Sequence, residues 1–324
     1  MTTYRALKGY SVRSVTSDPA NPKEGQIWYN STTKSITIRP LISAWASGGN
    51  VNTGRRSGAG AGTQTANLFF GGYSTDLSTL SEEYNGSSWS EGNNLGTAGY
   101  AFSGTGSQTA GLCAGRFTSG FPNASEEYDG TSWAEGNNLN TARAASAMAG
   151  AQTAAAMFGG SVGPNFAAGN SAAGEEYDGT SWSETNDLNT ARRYLAGAGT
   201  QAAGLGISGY NPGGNLTNVE LYDGTNWSNG TVIPTATAAL AASGTQTAAI
   251  VFGGNTGSDT ANSLNFDGSS WTAGATMATA RDRLTGSPAG TQTVALAVSG
   301  ATNAPSTATE EFSQALTTRT VDVS

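Results

Sequence analysis

The sequence predicts an all-β chain, a six-bladed β-propeller with a small N-terminal β-hairpin extension, and three observations carry that prediction. First, a glutamine in a Gly-Thr-Gln-Thr-like turn recurs at Gln64, Gln108, Gln152, Gln201, Gln246 and Gln292, at spacings of 44, 44, 49, 45 and 46 residues. Second, an aromatic keeps step with it at Tyr84, Tyr128, Tyr177, Tyr222, Phe266 and Phe312. Third, an Asp-Gly or Asn-Gly dipeptide follows the aromatic in five units (Asn85, Asp129, Asp178, Asp223, Asp267), with a tryptophan five residues after the aromatic. A period in the forties holding several short strands is the signature of a propeller or an array.

Taken in chain order, residues 1–40 stand apart as a docking segment. The turn-rich stretch Ser17 to Gly25 leads into Gln26-Ile27-Trp28-Tyr29-Asn30, four polar residues, and Ser35-Ile36-Thr37-Ile38. Two β-rich runs around a short polar loop read as a hairpin. Residues 41–317 form the propeller. Each unit starts from a Thr-Ala-Arg element and a first strand of small residues, as at Ala144 to Ala149. The glutamine turn leads to an apolar second strand ending in a glycine pair, as in Ala248 to Gly254. A variable loop, a third strand of Glu-Glu-Tyr type, the Asp-Gly turn and a tryptophan-bearing fourth strand complete the unit. Asp-Gly and Asn-Gly tolerate positive φ at both central residues and mark hairpins.

Phase also predicts how the ends meet. Trp45 precedes Thr53 as Trp89 precedes Thr97, so it is a fourth-strand tryptophan with no earlier strands of its own. The last unit has Thr317 where its tryptophan is due. The strand 41–45 is therefore expected to complete the sixth blade beside Glu310 to Phe312, leaving 318–324 as a tail and no open sheet edge.

A glycine pair, an aromatic about a dozen residues later, a tryptophan five further on and an early arginine resemble the kelch repeat over roughly residues 41–317. The resemblance implies one four-stranded blade per unit. Departures are Gly99 and Thr237 at the arginine position, and Gly115-Arg116, Ser208-Gly209 and Ser299-Gly300 at the glycine pair. They are expected to weaken individual blades. The run Pro22 to Asn30 and its hairpin resemble segments of bacteriophage tail-fibre and other virion proteins.

Composition narrows function. A formal charge of −8 and no basic stripe argue against nucleic acid. Histidine is absent, which removes Ser-His-Asp and Cys-His catalysis and histidine-ligated metals. The one cysteine, Cys113, is expected to be buried and unreactive. No apolar run is long enough for a membrane span, and Met1 to Tyr10 lack a secretory h-region. No cofactor and no metal site are expected.

Antiparallel order puts the glutamine and Asp-Gly turns on one face and the second-to-third strand loops, with the links between units, on the other. The loops vary, and they carry Tyr73, Phe117, Phe121, Phe166 and Tyr210, the expected partner-binding residues. Ile27, Trp28 and Tyr29 are the expected docking residues of the N-terminal segment. The acidic pairs Glu82-Glu83, Glu126-Glu127, Glu175-Glu176 and Glu310-Glu311 recur in four units and point to opposite sides of a strand, unlike a catalytic pair built once. They are expected to face solvent or to pair with the unit's arginine.

The resulting expectation is a non-enzymatic phage virion protein, a tail, fibre or capsid-decoration component in the particle. Its expected partners are other virion proteins, host-surface glycan and, in an assembly, copies of itself. The alternative is a carboxylate-dependent polysaccharide-degrading propeller enzyme, with Asp76 or Asp259 as its acids.

Overall fold

The computed structural model describes residues 12–167 and 169–322. The first eleven residues of the expected docking segment and the last two of the tail lie outside the described residues. The chain divides into two compact units, Met1–Ala44 with Ser313–Ser324, and Trp45–Phe312.

In the smaller unit Ile27–Asn30 and Ser35–Ile38 form the expected antiparallel hairpin. Arg13–Val15 adds in parallel on one side and Arg319–Asp322 antiparallel on the other. The tail thus contributes a strand rather than a free end. Alternation sends Trp28 and Asn30 to one face, where both side chains donate to Asp18 Oδ1 (2.8 and 2.9 Å). Those two bonds hold the Asp18 carboxyl below the usual carboxylate range.

The larger unit is a series of antiparallel sheets, one per sequence repeat. The third is typical: Ala147–Ala151, Ala154–Phe158, Gly174–Tyr177 and Trp182–Thr185, hydrogen-bonded in chain order. Five repeats are four-stranded in this way. First strands are glycine- and alanine-rich because neighbouring repeats come together there. A Cβ on Gly197 would lie 2.5 Å from the Met148 carbonyl oxygen of the preceding repeat. The Asp-Gly turns differ from the expectation of positive φ at both residues. Only the glycine adopts it (Gly179, φ 88°), in a four-residue loop between Tyr177 and Trp182. The aspartate instead accepts the amides of Thr180 and Ser181 on Oδ1 (2.8 and 2.7 Å), which removes the need for the second left-handed residue.

The sixth sheet departs from the four-strand pattern. It runs Val294–Val298, Thr309–Leu316, Leu41–Ser47, with the N-terminal strand outermost as phase requires. Its first strand shrinks to single bridges such as Thr285↔Val298. Pro288 explains this, having no amide to give the ladder. The Ser287 hydroxyl substitutes by accepting the Leu296 amide (3.1 Å), and the Ala289 amide turns to the Gly62 carbonyl of the first repeat (3.0 Å). Trp45 fills the tryptophan position, 4.9 Å from Phe252 and 5.2 Å from Phe312 between ring centres, with Nε1 on the Ala275 carbonyl (3.0 Å).

The core lies between sheets rather than within them. One cluster joins Leu112 and Ala114 of the second repeat to Met148, Met157, Tyr177 and Trp182 of the third. Another joins Phe69, Tyr84 and Trp89 of the first to Leu296 and Val298 of the sixth. The repeated glutamine stitches every such seam. Gln152 Nε2 donates to the carbonyls of Gly111 (3.1 Å) and Tyr128 (2.8 Å) in the preceding repeat. Gln108, Gln201, Gln246 and Gln292 do the same, and Gln64 reaches Ala295 (3.0 Å) and Phe312 (2.7 Å) in the sixth.

Candidate functional site

The acidic pairs are structural, and their two members do different work. The first glutamate is buried against the repeat's arginine: Glu82–Arg55 (2.8 Å), Glu175–Arg143 (2.9 Å) and Glu310–Arg281 (2.6 Å), and the single Glu220 of the fourth repeat pairs with Arg192 in the same way. Its remaining capacity caps the link between repeats, as when Glu175 accepts the amides of Asn140 (2.7 Å) and Thr141 (3.1 Å). The second glutamate accepts the tyrosine hydroxyl of the following repeat. The pairs are Tyr128–Glu83, Tyr177–Glu127 and Tyr222–Glu176, and Tyr84 reaches Glu311. Where Phe266 and Phe312 lack a hydroxyl, the preceding positions are Leu221 and Asn265.

The departures from the repeat pattern also resolve. Gly99 does not leave Glu126 without a counter-charge, because Arg116, in the glycine-pair position, supplies the guanidinium (2.8 Å). In the fifth repeat Thr237 replaces the arginine and Leu264 the glutamate, and Pro234 stands where Asn140 presents its amide. All three members of the ion-pair motif are lost together. Cys113 is fully buried, and burial pushes its thiol well above the ordinary range.

The loop face is organised around a second six-fold element. The residue two after the arginine position has a left-handed backbone in every repeat: Ser57, Ala101, Ala145, Tyr194, Ala239 and Arg283, with φ between 51° and 57°. Each amide donates to the equivalent carbonyl of the preceding repeat, from Ala101→Ser57 (2.7 Å) to Arg283→Ala239 (2.9 Å), and Ser57 donates to Arg283 (2.8 Å). Within each repeat the preceding residue bridges to the start of the second-to-third strand loop: Arg56↔Tyr73, Tyr100↔Phe117, Ala144↔Ser161, Arg193↔Tyr210, Ala238↔Asn255 and Asp282↔Ala301. The first strands below line a cavity of about 130 Å³, which Phe102, Tyr194 and Arg283 also line.

Three of the six bridges pair an aromatic with an arginine or a second aromatic. Arg56 lies 5.1 Å over Tyr73, Tyr100 contacts Phe117 edge-on at 5.2 Å, and Arg193 lies 4.8 Å over Tyr210. Phe117, Phe121 and Phe166 meet one another at 5.1–5.6 Å, Phe166 stacks on Tyr194 (5.7 Å, 22°), and Tyr100 touches Tyr73 (6.0 Å). Tyr73, Phe117, Phe121 and Phe166 therefore share one connected array, joined to Tyr210 through Arg193. All are half-buried, each keeping some surface toward solvent.

Four members were not singled out from sequence: Tyr100, Tyr194, Arg56 and Arg193. The available signal was their phase, directly after the arginine position, where the third and fifth repeats have Ala144-Ala145 and Ala238-Ala239. Burial raises the Tyr100 and Tyr194 hydroxyls, opposed by Arg56 and Arg283 at Tyr100 and by Arg193 and Arg283 at Tyr194. Burial likewise raises the Asp282 carboxyl, with Arg283 Nε (3.0 Å) pulling it back.

Of the expected docking residues, Ile27 is exposed, Tyr29 half-buried and Trp28 only 1% exposed, so Trp28 shapes the small sheet from within. Asp76 is exposed on the first loop, and Asp259 accepts from Asn255 Nδ2 (3.3 Å) on the fifth. Among the described residues no helix is long and apolar enough to cross a membrane, and no group of three or more Asp, Glu or Cys is placed to hold a metal. No protein-family model matches the chain, and no curated protein is detectably similar to it.

Proposed function

We propose that the six sheets close into a kelch-like β-propeller and that the protein is a non-enzymatic binding component of a bacteriophage particle, in its tail, fibre or capsid surface. Residues 1–40 mount it on neighbouring virion proteins or sister chains, and the loop face meets a host-surface glycan. One observation carries the binding reading. The five loop aromatics belong to a single array on the face whose loops differ, whereas the opposite face repeats the same two turns. Constant scaffold beneath variable loops is the layout of a recognition surface. Closure is supported by the seam between the sixth and first repeats, which has the same glutamine bonds and mouth hydrogen bond as the other five. The virion reading rests on the tail-like segment Pro22 to Asn30.

Mass spectrometry of purified particles tests the location. The full chain is expected in the particle and a chain lacking residues 1–40 is expected to be lost from it. Full incorporation of the shortened chain would remove the docking role. A reducing-sugar assay on host polysaccharide tests the absence of catalysis. Turnover abolished by changing Asp76 or Asp259 would replace this reading with an enzymatic one.

A further inference from the structure

We propose that the mouth of the central cavity binds an acidic sugar of a glycan, a carboxylated residue of the uronic or sialic type. This rests on the glycan-binding reading above and adds the ligand's charge. The distribution of cations carries it. Between Trp45 and Phe312 the chain has eight arginines, no lysine and twenty acidic residues, a net charge of −12. Five arginines are consumed in buried ion pairs with the repeat glutamates. The three that remain, Arg56, Arg193 and Arg283, all lie one or two residues past the arginine position, beside the cavity mouth.

Their partners leave charge to spare. Arg283 is matched by Asp282. Arg56 lies over the Tyr73 ring and feels the Asp282 carboxylate only at longer range, and Arg193 donates to Asn170 Oδ1 (3.0 Å) and the Phe166 carbonyl; neither makes a salt bridge among the described residues. An acidic domain that gathers its unneutralised cations at one mouth is complementary to an anion. The surrounding tyrosines add ring faces and hydroxyls. Two large side chains, Tyr194 and Arg283, occupy left-handed positions that Ser or Ala fills in the other repeats, a conformation unfavourable for bulky residues. A glycan fits better than an acidic peptide because the mouth backbone is already engaged in the six amide–carbonyl bonds and six bridges. Recognition is left to side chains, whereas extended peptides are commonly held through their main chain.

The experiment measures binding of the full chain to oligogalacturonate and oligosialate, to the same oligomers with carboxylates reduced to alcohols, and to poly-glutamate. One or both acidic oligomers are expected to bind, weakening with salt, and to lose at least about tenfold on carboxylate reduction, the worth of one charged hydrogen bond. Arg56→Gln is expected to weaken binding by roughly the same factor at unchanged thermal midpoint, and Tyr194→Ala to weaken it as well. Equal binding of the reduced oligomers would overturn the anionic site while leaving a neutral-glycan surface intact. Poly-glutamate binding without oligosaccharide binding would make it a peptide site. No binding to any acidic probe would also overturn the proposal, and the ligand-side comparison stands even if a variant misfolds.

Discussion

Replacing Arg143 with threonine is expected to destabilise the protein severely, and two further changes are expected to undo most of that loss. Arg143 and Glu175 are both fully buried. With threonine at 143, Glu175 keeps the amides of Asn140 and Thr141 but loses its counter-charge. Breaking a buried pair in this way costs about 3–5 kcal/mol. Glu175→Leu alone is expected to cost a similar ~3–5 kcal/mol, since it strands a buried guanidinium and orphans two amides. The fifth repeat shows what a pocket without charge requires: Thr237, Leu264 and Pro234 at the three equivalent positions. The triple variant N140P/R143T/E175L copies that solution. Its Ala173 carbonyl, which loses Arg143 Nη1 (2.7 Å), keeps the Gly159 amide (3.1 Å). Replacing a buried pair by apolar groups is often near neutral, so the triple is expected within about 2 kcal/mol of wild type, against a sum of ~6–10 kcal/mol for Arg143→Thr and Glu175→Leu alone if the changes were independent. Urea unfolding followed by tryptophan fluorescence reads this directly, Trp182 lying in the adjoining core. A triple variant no more stable than Arg143→Thr would refute the reasoning, because the pocket would then need its charges.

Gln64→Ala and Gln152→Ala each leave two inter-repeat carbonyls without the amide that served them. Each is expected to lower unfolding stability by about 1–3 kcal/mol, and to the same degree. A harmless Gln64→Ala beside a damaging Gln152→Ala would mean that the sixth-to-first seam is not a seam like the others. Alkaline stability provides the other test. Burial and the Glu311 bond push the Tyr84 hydroxyl up to about 12, and burial with a facing glutamate raises Tyr128 and Tyr177 as well. A tyrosine raised on folding stabilises the protein fully below its unfolded pKa of about 10, and that contribution fades as pH climbs toward the folded value. The urea midpoint is expected to fall between about pH 10 and 12, more steeply in wild type than in Tyr128→Phe/Glu83→Gln. Equal slopes would show that these hydroxyls carry no linkage.

The sequence by itself determined the repeat, the strand order within it, the place of the outermost strand of the sixth sheet and the buried cysteine. These follow from phase: a period counted in residues translates directly into strands and turns, because neighbouring units must bury equivalent faces against each other. Even the buried pairing was partly legible, since Arg/Glu and Thr/Leu, or Tyr/Glu and Phe/Leu, exchange together within this one chain. The loop aromatics were legible as residues that break the pattern, but not as an array. Their convergence, and the inclusion of Tyr100, Tyr194, Arg56 and Arg193, depended on the left-handed position and the bridge in each repeat. These bring residues about 44 apart in sequence to one mouth. Trp28 shows the same limit in the smaller unit, where alternation placed it beside Asp18 on the inner side of the sheet. Only the tertiary structure decided which cations were left over, because charge balance is settled by burial and distance rather than by composition.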